Sequence, residues 1–203
     1  MGFRSGFGYA SGCNFSVAGM GNKWFNAYPN GTLKSSCSSK EFMRYIMKQK
    51  VFSFGDKFAI RNEDGENAFF ANGAVLSLGH KLSFEDPQGN ELLFISQKLL
   101  SWGPTYELYR GDEHIATIKK EMFTFFKCTF DIHVDDKGDL EAQGDFSDHE
   151  YTVTRAGESI AQISKQWFTW LDTYGVDIAD GEDPLLILAS TVVIDMCCHE
   201  QSQ

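Results

Sequence analysis

Basic residues are scarce in this chain: eighteen Lys and Arg face twenty-eight Asp and Glu, leaving a net charge of -10. Neutralising a phosphate backbone requires clustered cations, so the balance argues against nucleic acid as a partner. The same deficit speaks against attraction to anionic lipid. Proline is equally sparse, at four in 203 residues, so little interrupts backbone pairing. The five cysteines, at 13, 37, 128, 197 and 198, form no CxxC pair, and Met1 to Gly12 holds no apolar signal core. Reduced thiols and a cytoplasmic location are therefore expected. Catalytic signatures are missing too: there is no HExxH, GxSxG or GxxxxGK[ST], and the five histidines (80, 114, 133, 149, 199) are scattered. Asp148-His149-Glu150 is a grouping able to orient a general base, but no nucleophile can be named beside it, and a non-enzyme is expected.

Long apolar runs are also lacking. Leu185 to Cys198, broken by Ser190, Thr191 and Asp195, would reach about 21 Å as a helix, against the ~30 Å of a hydrocarbon core. Its apolar residues lie on every side of the helical wheel, so a buried helix is expected. Asp183 suits its N-cap, Pro184 its first turn, and Glu182 the charge preference of that end. Cys197 and Cys198 would serve as small core residues.

What is abundant is phenylalanine, eighteen in all, and the large rings point to a β-rich protein with a bulky interior. Residues 1–42 differ in kind from the rest. They hold seven of the nineteen glycines and a local charge of +3, from Arg4, Lys23, Lys34 and Lys40 against Glu41, which leaves -13 for residues 43–203. We expect a flexible tail or translated upstream sequence there, with the folded domain over 43–203.

Turn signals recur between residues 50 and 165: Asp64-Gly65, Asn72-Gly73, Pro87 to Asn90, Arg110-Gly111-Asp112, Asp136 to Asp139 and Ala156-Gly157. Between them run alternating segments. Phe126, Cys128, Phe130, Ile132 and Val134 share one face, with Lys127, Thr129, Asp131 and His133 on the other. The chain also resembles itself. Residues 95–106 align with 163–174 at an offset of 68, Gly89 with Gly157 at the same offset, and Phe58 and Ile60 with Phe130 and Ile132 at an offset of 72. Two similar meanders of about six strands are implied. Two such sheets and one helix apolar all round pack best as a closed antiparallel barrel threaded by the helix, since closure removes sheet edges and so wide a barrel needs filling.

Three stretches carry a family resemblance: Met43 to Lys50; Gln97 to Ser101 with Pro104 to Glu107; and Asp172 to Val176 followed by Leu185 to Glu200. In order and spacing they resemble the LURP-one-related family, which is similar to the tubby C-terminal domain and the phospholipid scramblases. The resemblance implies a mainly β fold, a closed twelve-stranded antiparallel barrel around a buried C-terminal helix. It implies no defined activity. The tubby relation implies headgroup binding by a basic pocket, for which Lys119, Lys120 and Lys127 are the candidates, with Lys48 and Lys50 near the start. The scramblase relation implies calcium before the terminal helix, for which Asp172, Asp177, Asp180, Glu182 and Asp183 are the candidate ligands. A solvated acidic loop capping the helix is the plain alternative. The expectation is a monomeric, non-enzymatic binding or scaffolding module for an unidentified protein or small ligand, with no cofactor; the alternative is a lipid-interacting protein, peripheral on a membrane and calcium-responsive.

Overall fold

The computed structural model describes residues 41–49, 57–73, 79–121, 128–146, 148–165 and 173–199. Twelve strands and one helix follow one another: β1 (Phe42–Gln49), β2 (Lys57–Arg61), β3 (Asn67–Gly73), β4 (Lys81–Glu85), β5 (Glu91–Gln97), β6 (Thr105–Arg110), β7 (Glu113–Lys120), β8 (Cys128–Val134), β9 (Leu140–Asp145), β10 (Glu150–Arg155), β11 (Glu158–Ser164), β12 (Thr173–Ala179) and α1 (Pro184–His199). Each strand pairs antiparallel with its neighbours in sequence, and β1 pairs with β12 to close the barrel. The expected fold is the one observed.

Period-two alternation sets the inward face. Leu82 and Phe84 of β4, Leu93 and Ile95 of β5, and Ile132 and Phe130 of β8 are all essentially inaccessible. Asp131 and His133 point outward, as the pattern predicts, but Thr129 is buried as well. Asn72-Gly73 is a correction: instead of a turn, both residues sit in β3, opposite Ser83 and Leu82. Asn72 is accommodated there because its side-chain amide donates to Glu85 Oε2 at 2.9 Å. The other turn signals fall at strand ends. Ala156 and Gly157, both at positive φ (50° and 83°), make the tight β10–β11 turn that a right-handed twist favours.

α1 is the core of the barrel. Every residue from Leu186 to Cys197 is buried, and the helix touches β5, β7 and β12, which belong to separate parts of the barrel wall. Asp183 caps it, with Oδ1 accepting from the Leu185 amide at 3.0 Å. The two hydroxyl residues in its middle are satisfied locally: Ser190 Oγ donates to the Leu186 carbonyl at 2.8 Å and Thr191 Oγ1 to that of Ile187 at 2.9 Å. The self-similar segments occupy strands six apart. Phe58 and Ile60 lie in β2 and their counterparts in β8; Ile95 lies in β5 and Ile163 in β11.

Candidate functional site

An up-and-down barrel has two rims, and here they differ chemically. One rim carries the connections β2–β3, β4–β5, β6–β7, β8–β9, β10–β11 and β12–α1, none longer than five residues. These turns (62–66, 86–90, 111–112, 135–139, 156–157 and 180–183) hold eleven carboxylates and one cation, Lys137. The other rim carries the remaining connections. Its described connecting residues hold Lys98 and Lys165 against Glu121 and Asp148, and the adjoining strand ends add Lys48, Lys81, Lys119 and Lys120 against Asp145 and Glu150. The acidity of the folded part is thus gathered at one end, where α1 enters.

At that acidic rim the carboxylates flanking α1 meet arginines. Arg44 grips Asp177 with two bonds, Nε to Oδ1 at 2.6 Å and Nη2 to Oδ2 at 2.8 Å, which raises the arginine's pKa. Arg155 Nη1 lies 2.6 Å from both oxygens of Glu182, and Arg110 Nη2 lies 2.9 Å from Asp183 Oδ2. Each arginine comes from a different strand, so the three pairs tie the end of β12 and the helix entrance to the barrel wall. Asp180 is exposed, and Asp172 lies outside the described residues. Among the described residues no group of three or more His, Cys, Asp or Glu is placed to hold a metal ion. A calcium site here would have to displace arginine partners. We expect millimolar calcium to leave the melting temperature unchanged in a scanning fluorimetry titration, whereas a site filled to about a hundred times its dissociation constant would add ~2.7 kcal/mol.

The candidate headgroup lysines do not converge. Lys119 and Lys120 are successive residues of β7 and face opposite sides of the sheet. Lys119 Nζ pairs outside with Glu121 at 3.1 Å, drawing that carboxyl below its usual range. Lys120 is buried, its ammonium 5.9 Å from the Phe130 ring centroid. Lys127 lies outside the described residues.

A buried polar cluster sits where α1 reaches the less acidic rim. His149 takes up a left-handed backbone conformation (φ 54°) in the β9–β10 connection, which aims its ring inward. Its Nε2 donates to Asp195 Oδ1 at 2.6 Å, and both side chains are buried. The imidazole stacks on Tyr174 of β12, centroids 4.4 Å apart. Burial pushes the Tyr174 and Tyr151 phenols well above their ordinary pKa, and the Asp195 carboxylate adds to the effect. The sequence singled out His149 with its chain neighbours; its partner lies 46 residues away on the helix, and only the inward polar gap at Asp195 in an apolar run signalled it.

Nothing in the cluster reaches solvent, and the interior beside it is occupied by α1. The same rim instead carries an outward feature, the β5–β6 connection 98–104. Leu99, Leu100 and Trp102 are 60%, 97% and 83% exposed. The loop beneath them is well braced. The Lys98 amide donates to the Thr105 carbonyl at 2.8 Å, and Ser101 Oγ lies 2.9 and 2.8 Å from the Lys98 and Gly103 carbonyls. Lys98 Nζ pairs with Glu107 at 2.9 Å, which, with a bond from Tyr109, lowers the Glu107 pKa. Gly103, at φ 98°, supplies the bend before Pro104.

Barrel closure and the central helix agree with the comparisons. A family model described as LURP-one-related matches residues 43–195, and the chain belongs to that family. It is 37% identical over 155 residues to a Bacillus subtilis (strain 168) protein described as "Uncharacterized protein YxjI", covering 76% of this chain and 93% of that one. Among solved structures it is similar to the X-ray structure of the Arabidopsis thaliana protein AT5G01750, with a TM-score of 0.57, 18% identity, and coverage of 75% of this chain and 90% of that one. That likeness speaks to the fold. Among the described residues no helix is long and apolar enough to cross a membrane.

Proposed function

We propose that this protein is a non-catalytic binding module that meets its partner through the rim bearing the β5–β6 connection. The observation that carries this reading is the pairing of a filled barrel with a braced, outward apolar loop. With α1 filling the interior, the ligand mouth usual for a barrel is closed, and recognition falls to the rim. Large apolar side chains held away from the core on a rigid loop mark interaction sites. His149 and Asp195 are buried beneath this rim with no described cleft leading to them, so their pairing supports a structural role better than a general base. A reducing, cytoplasmic setting fits the cysteine pattern, which holds no CxxC pair. The acidic loop before α1 serves, in this reading, to fasten the helix entrance instead of to bind calcium. Residues 43–203 form the working domain.

Site-directed photo-crosslinking in cells tests the reading. A photoreactive side chain at position 100 is expected to give adducts, and the same group at position 64 on the acidic rim to give none. Equal labelling at both rims, or none at position 100, would refute it.

A further inference from the structure

Resting on that reading, we infer that the partner at this rim is the surface of a lipid bilayer, into whose interfacial layer Leu99, Leu100 and Trp102 insert. Three observations converge. First, the chemistry of the tip is interfacial. Trp prefers the boundary between headgroups and acyl chains, and Leu the acyl side of it. Lys98 adjoins them at the base of the loop, its ammonium paired with Glu107.

Second, charge is segregated in the sense a membrane needs. The net charge of -10 would repel an anionic surface if it were spread evenly. Instead eleven carboxylates stand on the far rim, while the described residues of the near rim, leaving out the buried Lys120, hold lysines 48, 81, 98, 119 and 165 against Glu121, Asp145, Asp148 and Glu150. Interactions between exposed charges fade beyond about 10 Å at ordinary ionic strength, so a bilayer at the near rim senses its lysines more than the distant acids. The same separation orients the molecule, acidic end away from the membrane. A second copy of the chain fits less well, since a rim-to-rim dimer would bring two lysine-bearing ends together.

Third, the loop is preorganised. Its bracing by Ser101, the Lys98 amide and the Lys98–Glu107 pair means that insertion orders little new backbone. The exposed side chains need only exchange water for lipid. Because the bracing comes from backbone bonds, Ser101 and Lys98, and the three apolar side chains are mostly exposed, we expect their removal to leave the fold intact.

The test is co-sedimentation of the full chain with phosphatidylcholine vesicles, with and without phosphatidylserine. We expect the wild type to bind, more tightly when phosphatidylserine is present and less so as salt rises. The variant Leu99→Ala/Leu100→Ala/Trp102→Ala, with an unchanged melting temperature, should bind about ten-fold more weakly or worse, in keeping with the loss of three inserted apolar side chains. Lys48→Glu, at an exposed lysine of the same rim outside the loop's bracing, should weaken binding to the phosphatidylserine vesicles alone. Absence of wild-type binding to either vesicle, or a triple variant that binds as well as wild type, overturns the inference, as does concentration-dependent dimerisation lost in the triple variant. Failure here combined with adducts to a protein at position 100 would leave the binding-module reading standing and remove only the membrane.

Discussion

Asp195→Ala is expected to destabilise the protein by about 3–5 kcal/mol, the range for removing one member of a buried pair. The reasoning starts from where Asp195 lies. Position 195 is on the last turns of a helix buried all round, and an alanine there would lose the bond from His149 while leaving that imidazole in an apolar interior. Neither residue can reach water by changing rotamer, since both are buried under the rim. For a folded unit of this size, each kcal/mol moves the midpoint by roughly 2–4 °C, so a fall of about ten degrees is expected in a thermal melt. Asp195→Asn keeps a hydrogen-bonding side chain of the same shape and should cost distinctly less. His149→Asn, which tolerates the left-handed backbone, completes a double-mutant cycle with Asp195→Ala. A coupling near zero would mean that the two side chains, though adjacent, do not hold each other.

The cluster shows what sequence can and cannot deliver. Strand positions are legible because pleating gives each segment a period of two, and the two-sidedness of the Thr129–Val134 stretch survives in the barrel apart from Thr129 itself. The helix is legible because an apolar run without a polar face has no alternative to burial. Its cap is legible because Asp183-Pro184 satisfies the first amides and preorganises the first turn. The partners of charged residues are not. Arg44 and Asp177 are separated by 133 residues, Arg110 and Asp183 by 73, and these meetings are set by barrel closure and strand register, which no local pattern encodes. This is why a run of carboxylates looks like a cation site in sequence and like three arginine clamps in the fold. For the same reason Lys119 and Lys120 look like one basic patch until the pleat sends them to opposite faces.

The excess of phenylalanine divides likewise. Phe58, Phe84 and Phe130 are fully buried against the core that α1 completes, and Phe146 meets Phe130 edge to face and lies tilted against Tyr151 beside the His149 turn. Phe42 is about half exposed, so filling the barrel is not the whole account even of the described rings. Net charge is still less transferable: a single total of -10 conceals one rim with eleven carboxylates and another whose described residues hold more lysine than acid. Inferences drawn from the total, including repulsion from anionic surfaces, depend on which rim faces the partner.

Gly144→Ala should be the other severely destabilising change, costing about 3 kcal/mol or more, at the upper end of overpacking effects. Gly144 lies in β9 opposite Tyr151 of β10 and Cys128 of β8. A Cβ at this position would come within 2.5 Å of the Glu150 carbonyl oxygen and 2.6 Å of Tyr151 Cα. Favourable carbon contacts begin near 3.5 Å, and backbone atoms in a paired strand cannot swing aside as a flexible side chain can. The strain must therefore be relieved by parting β9 from β10, the hairpin whose connection sets His149 and whose first inward ring is Tyr151. Gly65→Ala is the informative control. Gly65 also has positive φ (78°) but faces open space, so alanine there should cost only ~1 kcal/mol of backbone strain. Chemical denaturation of both variants separates the two causes. Equal small losses would mean that the β9–β10 ladder yields readily; a large loss at 144 alone, with amide exchange accelerated across residues 141–155, would locate the rigidity of the helix-bearing rim in the close approach of these two strands.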